Sequence, residues 1–229
     1  MKKSITVASH RRSGTHIVIS SIQHLWKHCE IIKTHAWPEN HPKSDETETI
    51  YIYRNPFDVL WSSWNWWTDI RLCGNAKIAE MMLDVTFDDF ILGKVGHISD
   101  FESFSMPQKD DLAHQRGLFY NPVMWWKRHV QEWSMFSEYV ISYENLISSG
   151  KGKEQIADVI STCRGNSVKS GQVKIPSNLV GHSHKTHKIQ KPGYSMEFYD
   201  SELTEFIINC VGPQFLSSLG YQNLTIGAF

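Results

Sequence analysis

The stretch from Ile5 to Ile22 constrains this chain more than any other. Ile5, Thr6, Val7, Ala8 and Ser9 make a short β-like run, and His10 to Thr15 is a basic, turn-prone connection with a glycine at Gly14. From His16 onward apolar residues return at helical spacing, at Val18, Ile22, Leu25 and Trp26. A strand that passes through a basic turn into a helix start is a natural anion site. The N–H groups of the first helical turn point at the anion, the helix dipole favours negative charge, and the arginines neutralise it. The expected occupant is a phosphate or sulfate group of a cofactor. On this stretch alone an ordinary β–turn–helix connection with surface arginines explains the residues equally well.

The rest of the chain repeats the alternation of strand and helix. Glu30 to Lys33 is a second strand, ended by Thr34, His35, Ala36, Trp37 and Pro38. Asn40 to Glu48 is polar and expected to be loop, and Thr49 to Tyr53 is a β-branched and aromatic strand. Arg54 follows it. Asn55 then suits a helix N-cap, Pro56 the first helical position and Asp58 the first turn, giving a helix to about Thr68 that carries Trp61, Trp64, Trp66 and Trp67. Ala76 to Leu83 and Phe87 to Leu92 are weaker helical stretches, and Gly96 to Asp111 reads as loop. Region 69–116 is therefore expected to be an acceptor or lid region. Asn121 to Phe136 places Val123, Trp126, Val130 and Trp133 on one helical face. Tyr139 to Ser142 is a further strand, and Lys153 to Cys163 a helix. Arg164 to Lys191 is expected to be mostly loop, and Ser201 to Phe215 a last amphipathic helix.

Short apolar strands alternating with helices predict a three-layer α/β/α fold with a central, mainly parallel sheet. Ligands bind such sheets at the carboxyl ends of the strands. Arg12, His35 and Arg54 each fall just past a predicted strand end, so three basic residues distant in sequence are expected on one edge. The length of 229 residues fits one domain, 1–229. A net charge of −1 gives no basic character to suggest nucleic acid. Cys29, Cys73, Cys163 and Cys210 are scattered without C-x-x-C spacing, so neither a zinc site nor a disulfide framework is signalled. No leader-like or membrane-length apolar run is present, and the expectation is a cytoplasmic protein with no membrane partner.

Four motifs in order resemble the sulfotransferases that use 3′-phosphoadenosine 5′-phosphosulfate (PAPS). Arg12, Ser13, Gly14 and Thr15 are similar to their 5′-phosphosulfate loop, P-[KR]-S-G-T, with Arg11 in place of the usual proline. Lys33, Thr34, His35, Ala36, Trp37 and Pro38 resemble K-T-H-x-x-P. Arg54, Asn55, Pro56, Asp58 and Ser62 resemble the 3′-phosphate element R-[ND]-P-x-D-x-x-x-S. Trp126, His129, Val130 and Trp133, then Tyr143, Glu144, Asn145 and Leu146, are similar to the W-x-x-H-V-x-x-W and Y-E-D-[LM] pair of the cytosolic members. Segment 164–191, with Lys188 and Lys191, stands where the family closes a loop over the 3′-phosphate, but Ile189 and Pro192 replace both motif glycines.

The resemblance implies a P-loop NTPase-like fold, PAPS as sulfuryl donor, and a small-molecule acceptor reacting through a hydroxyl or an amine. It implies His35 as general base, since an imidazole titrates near neutrality. Arg12 would grip the 5′-phosphosulfate electrostatically, because a guanidinium does not give up its proton. Lys33 would be the mobile cation at the sulfuryl or bridging oxygen. Arg11, Arg12, Ser13, Gly14, Thr15 and His16 would line the 5′ end, and Arg54, Ser62, Lys188 and Lys191 the 3′ end. Trp126, His129 and Trp133 are expected to be structural. No metal is expected: side chains supply the cations, and His182, His184 and His187 read as solvated loop histidines. Two other classes stay open. A P-loop nucleotide kinase or NTPase would need G-x-x-x-x-G-K-[ST], and this loop has one glycine and no lysine after it. A non-catalytic anion-binding module would use the basic segment Lys169 to Lys191. The acceptor, the choice between oxygen and nitrogen, the oligomeric state and the job of Arg11 are not legible in the sequence.

Overall fold

The run Ser4–Ser9 forms strand β1, and all six residues are buried, as a central parallel strand requires. This is a computed structural model that describes residues 4–41, 44–69, 79–80, 82–94, 121–176, 178–180, 186–188 and 190–222, with only the backbone at 178–180 and 186–188. β1 is flanked by β2 (Glu30–Thr34) and β3 (Thr47–Tyr53), and β4 (Tyr139–Ser142) pairs with β3. The four strands run in the order β2-β1-β3-β4, and every neighbouring pair is parallel. Helix α1 (Thr15–Leu25) follows β1, and α2 (Pro56–Thr68) follows β3. Next come α3 (Phe87–Ile91), α4 (Pro122–Phe136), α5 (Tyr143–Ser148) and α6 (Lys151–Arg164). A short antiparallel pair, β5 (Asn178–Val180) and β6 (Thr186–Lys188), precedes α7 (Ser201–Val211) and α8 (Pro213–Ser218).

The chain falls into two compact units interleaved in sequence. The first comprises Met1–Arg54 and Val130–Pro192 and contains the parallel sheet. Alternation along its strands separates two faces. Ile5, Val7, Ile50, Ile52 and Ile141 pack with Ile17, Val18 and Ile22 of α1 and with Ile156, Val159 and Ile160 of α6. Tyr51, one residue out of phase, stacks on Trp133 of α4 with ring centroids 6.0 Å apart. Helices thus cover both faces of the sheet, and the expected layered α/β architecture is present.

The second unit comprises Asn55–His129 and Gly193–Phe229. The start of α2 is built as its sequence implies: Asn55 Oδ1 accepts from the Asp58 N–H at 2.8 Å, and Pro56 takes the first turn. Trp61 stacks on Phe198 with centroids 4.1 Å apart and meets the edge of Phe87, which in turn packs against Tyr199. These rings form an aromatic cluster.

One expectation changes. The last helix does not run from Ser201 to Phe215: Gly212, at φ 92°, and Pro213 break it into α7 and α8. Segment 164–191, expected to be mostly loop, also holds the short antiparallel pair β5 and β6. The residues from Tyr143 form a short helix, because the Ser142 side chain accepts from the Asn145 N–H and caps it. The loop at 96–111 and half of the helix expected at 76–83 lie outside the described residues.

Candidate active site

The carboxyl ends of β1, β2 and β3 lie side by side, because Ala8 registers with Thr34 on one neighbour and with Tyr51 on the other. The parallel register therefore brings the loop after Ser9, His35 after Thr34, and Arg54 after Tyr53 to one edge of the sheet. That edge holds the convergence expected of Arg12, His35 and Arg54.

The first loop is contorted. Arg12 sits at φ 68° and Gly14 at φ 100°. Left-handed backbone at Arg12 is strained for a residue with a Cβ and is the sort of strain that functional loops retain. Gly14 is also pressed by its surroundings. A Cβ there would meet the ring of Tyr143 at 2.7 Å. Gly14 caps α1 without any side-chain bond, so the first N–H groups of the helix face the loop. Ser13 is fully buried, and among the described residues its hydroxyl has no hydrogen-bond partner. A buried orphan hydroxyl, a helix start and two arginines suit a phosphate- or sulfate-type oxyanion. Thr15 is tied instead to Ser9, hydroxyl to hydroxyl at 2.5 Å.

His35 is held by its Nδ1, which lies 2.8 Å from the Ser9 carbonyl oxygen and 3.2 Å from the Ser9 hydroxyl. A carbonyl only accepts, so Nδ1 carries the proton and Nε2 holds the basic lone pair. Burial pushes the imidazole well below its ordinary 6.5, and the positive charges of Arg11 and Lys33 push the same way, against the bond to Ser9. The ring is therefore neutral at physiological pH, which is the form a proton acceptor needs. Lys33 is exposed, and its Nζ lies 3.5 Å from Nε2 of His16 at the start of α1.

Arg54 is buried, and its guanidinium stacks over the Tyr143 ring at 4.2 Å from the centroid. The Tyr143 hydroxyl donates to the Gln190 carbonyl at 2.7 Å. One side chain thus backs the glycine of the first loop, supports Arg54 and fixes the chain beside Lys191. Lys191 is exposed. Lys188 lies in β6, where only the backbone is described. Ser62 lies half-buried on α2 in the second unit. In that unit Asp58 accepts from Asn55 Nδ2 at 2.9 Å, from the Gly193 N–H at 2.8 Å, and from the Ser195 N–H and hydroxyl at 3.1 and 2.7 Å.

From the sequence, Tyr143 is a letter in a motif, Asp58 a first-turn helix residue and Ser9 the end of a strand; none of the three carries a site role there. Their partners lie far off in sequence, and only the fold reveals them. Among the described residues no cluster of His, Cys, Asp and Glu is arranged to hold a metal, and His182 and His184 lie outside them. Among the same residues no helix is long and apolar enough to cross a membrane.

The chain matches the family model of the sulfotransferase domain over residues 25–192, a span that takes in Lys33, His35, Arg54 and Ser62 but begins after the first loop. No curated protein sequence matches it. Among solved structures it is similar to a mouse sulfotransferase, SULT7A1, complexed with PAP. That likeness has a TM-score of 0.60 and 16% identity over 98% of this chain and 87% of the other. It is also similar to retinol dehydratase in complex with androsterone and the inactive cofactor PAP, with a TM-score of 0.58 and 15% identity over 94% and 81%. A retinol dehydratase complex with retinol and PAP gives a TM-score of 0.51 at 14% identity. At these identities the likenesses establish a shared fold.

Proposed function

Because the chain belongs to the sulfotransferase domain family, we propose that it moves a sulfuryl group from PAPS to a hydroxyl or amine of a small-molecule acceptor, with His35 as general base. The observation that carries this reading is the fixed tautomer of His35. Its Nδ1–H is committed to the Ser9 carbonyl, so Nε2 is the basic nitrogen, on the same strand end as Lys33 and beside the anion-binding loop.

The donor supplies an activated sulfuryl group, and the chain's residues do the rest. Arg12, the Ser13 hydroxyl and the N–H groups at the start of α1 hold the 5′-phosphosulfate end, and Arg11 and His16 lie in the same loop. Lys33 places a mobile charge where negative charge grows on the departing phosphate oxygen. His35 takes the acceptor proton as the new bond to sulfur forms and the bond to the phosphate oxygen breaks. Arg54 and Ser62 bind the 3′-phosphate, with Lys188 and Lys191 on the segment that closes near it. Arg54 is well supported for that task, being stacked on Tyr143. In this reading the cations are side chains, Arg12, Lys33 and Arg54, and no metal is invoked. A small acceptor agrees with the androsterone and retinol held by two similar structures.

Labelled PAPS presented to a panel of small alcohols, phenols and amines tests the reaction. His35→Ala is expected to retain donor binding and to lose at least about a hundredfold in transfer, the scale of a general base. Unchanged transfer would remove His35 from the mechanism. Magnesium-dependent ATP turnover without sulfuryl transfer would favour a nucleotide kinase instead.

A further inference from the structure

The loop that presents His35 is anchored by a residue of helix α4 far away in sequence. Trp133 is fully buried, and its indole N–H donates to the Ala36 carbonyl, one residue past His35, at 2.8 Å. The ring cannot turn away. It lies flat against Tyr51 with an interplanar angle of 9°, meets the edge of Phe136 at 5.3 Å between centroids, and is tilted against His41 at 5.9 Å. The other side of the same turn is held as well. The Thr34 hydroxyl accepts from the Ala36 N–H at 3.1 Å and bonds Nε2 of His41 at 2.6 Å. Ala36 therefore has its N–H fixed by Thr34 and its carbonyl fixed by Trp133. His35 sits between Thr34 and Ala36, and its Nδ1 is fixed to Ser9.

We propose that Trp133 is a positioning residue for the transfer reaction, acting through His35 by locking the Ala36 carbonyl and thereby the direction of the imidazole Nε2. The inference rests on the reading of His35 as general base. An indole N–H has a single hydrogen to give, and Ala36 is buried, so removing that donor leaves a buried carbonyl unsatisfied and frees the turn to shift. Small displacements of a catalytic group are costly because the productive geometry is narrow. Tyr51 and Phe136 would still pack a phenyl ring, so the effect of losing the N–H is separable from loss of the core.

A double-mutant cycle tests this. Trp133→Phe is expected to lower kcat roughly tenfold, to leave the KM for PAPS within about twofold, and to keep a cooperative thermal transition. In a His35→Ala background the same substitution is expected to change residual transfer by less than twofold, because there is no imidazole left to aim. Equal fold losses in the two backgrounds, or no loss in the His35-containing enzyme, would overturn the proposal. Should Trp133→Phe fail to fold, Thr34→Val removes the other tether of Ala36 with little change in volume, and the same cycle applies with the same outcomes. If His35→Ala alone leaves transfer intact, the general-base reading fails and this inference with it. If His35→Ala is deeply impaired while the cycle is additive, only the positioning role fails.

Discussion

At Arg12 the role proposed for the side chain and the conformation of the backbone pull stability and function in opposite directions. Its left-handed backbone, at φ 68°, costs a residue with a Cβ roughly 1–2 kcal/mol. Arg12→Gly is therefore expected to leave stability unchanged or to raise it by up to about 1 kcal/mol, the relief being partly offset by glycine's greater freedom when unfolded. Sulfuryl transfer should fall sharply at the same time. A stabilised, inactive variant in paired melting and transfer measurements would mark the strain as serving the site, whereas loss of both properties would mean that the arginine holds the loop together. The neighbouring His10 gives a second expectation. It is fully buried, its Nδ1 bonds the Arg11 carbonyl at 2.8 Å, and burial lowers its pKa from 6.5 to about 4. The folded protein resists protonating this ring while the unfolded chain does not. The stability it contributes is thus complete above pH 6.5 and is lost as pH falls toward 4, by about 3 kcal/mol from this group. His35, shifted the same way, adds to that slope. Denaturant titrations of His10→Asn should show a shallower decline across the window; an undiminished slope would assign the acid sensitivity elsewhere.

At the level of elements, the start of α2 does two jobs. Its cap was legible in Asn55, Pro56 and Asp58, because capping chemistry is local. Its second job was not. Asp58 also holds Gly193 and Ser195, 135 and 137 residues away, and no periodicity encodes a bond of that span. Asp58→Asn leaves one accepting oxygen where two now serve. It is expected to destabilise the chain by about 2 kcal/mol and to speed hydrogen exchange at the Gly193 and Ser195 amides before others. Protection unchanged at those two amides would show that the segment is held by something else. The same contrast between local and distant information explains the rest. β1 to β4, α1 and α2 could be read because each carries a run of apolar or capping residues. β5 and β6 could not, because strands of three residues in a polar stretch show no period. The break at Gly212 and Pro213 was visible as turn chemistry, but helical spacing that persists to Phe215 obscured it. In the candidate site, Arg12, Lys33, His35 and Arg54 could be brought to one edge from the sequence because they stand at strand ends. Tyr143 stood out only as a motif letter and Trp133 only as a structural residue on a helical face, because their partners at Gln190 and Ala36 are 47 and 97 residues away.

Over the whole molecule the charge is nearly balanced, at −1, yet Arg11, Arg12, Lys33 and Arg54 stand at the carboxyl ends of three adjacent strands. The attraction proposed for a multiply charged nucleotide therefore rests on a local concentration of cations and not on the overall charge. Such a field is partly screened within about 10 Å at 0.1 M salt. Since the ligand binds only the folded chain, its affinity appears as stability. On the proposed function, 3′-phosphoadenosine 5′-phosphate at a hundred times its Kd is expected to add about 2.7 kcal/mol. For a chain of this length that raises Tm by roughly 5–10 °C. Adenosine 5′-phosphate at the same concentration should give a smaller rise, the difference being due to the 3′-phosphate. If Arg54 reads that phosphate, Arg54→Ala brings the two shifts together and leaves the smaller one almost unchanged. Equal weakening of both nucleotides would instead place Arg54 in general support of the site through Tyr143. Salt separates these cases further. Raising it should erode the difference between the two nucleotides in the parent protein, where an ionic contact produces it, and should have little left to erode in Arg54→Ala.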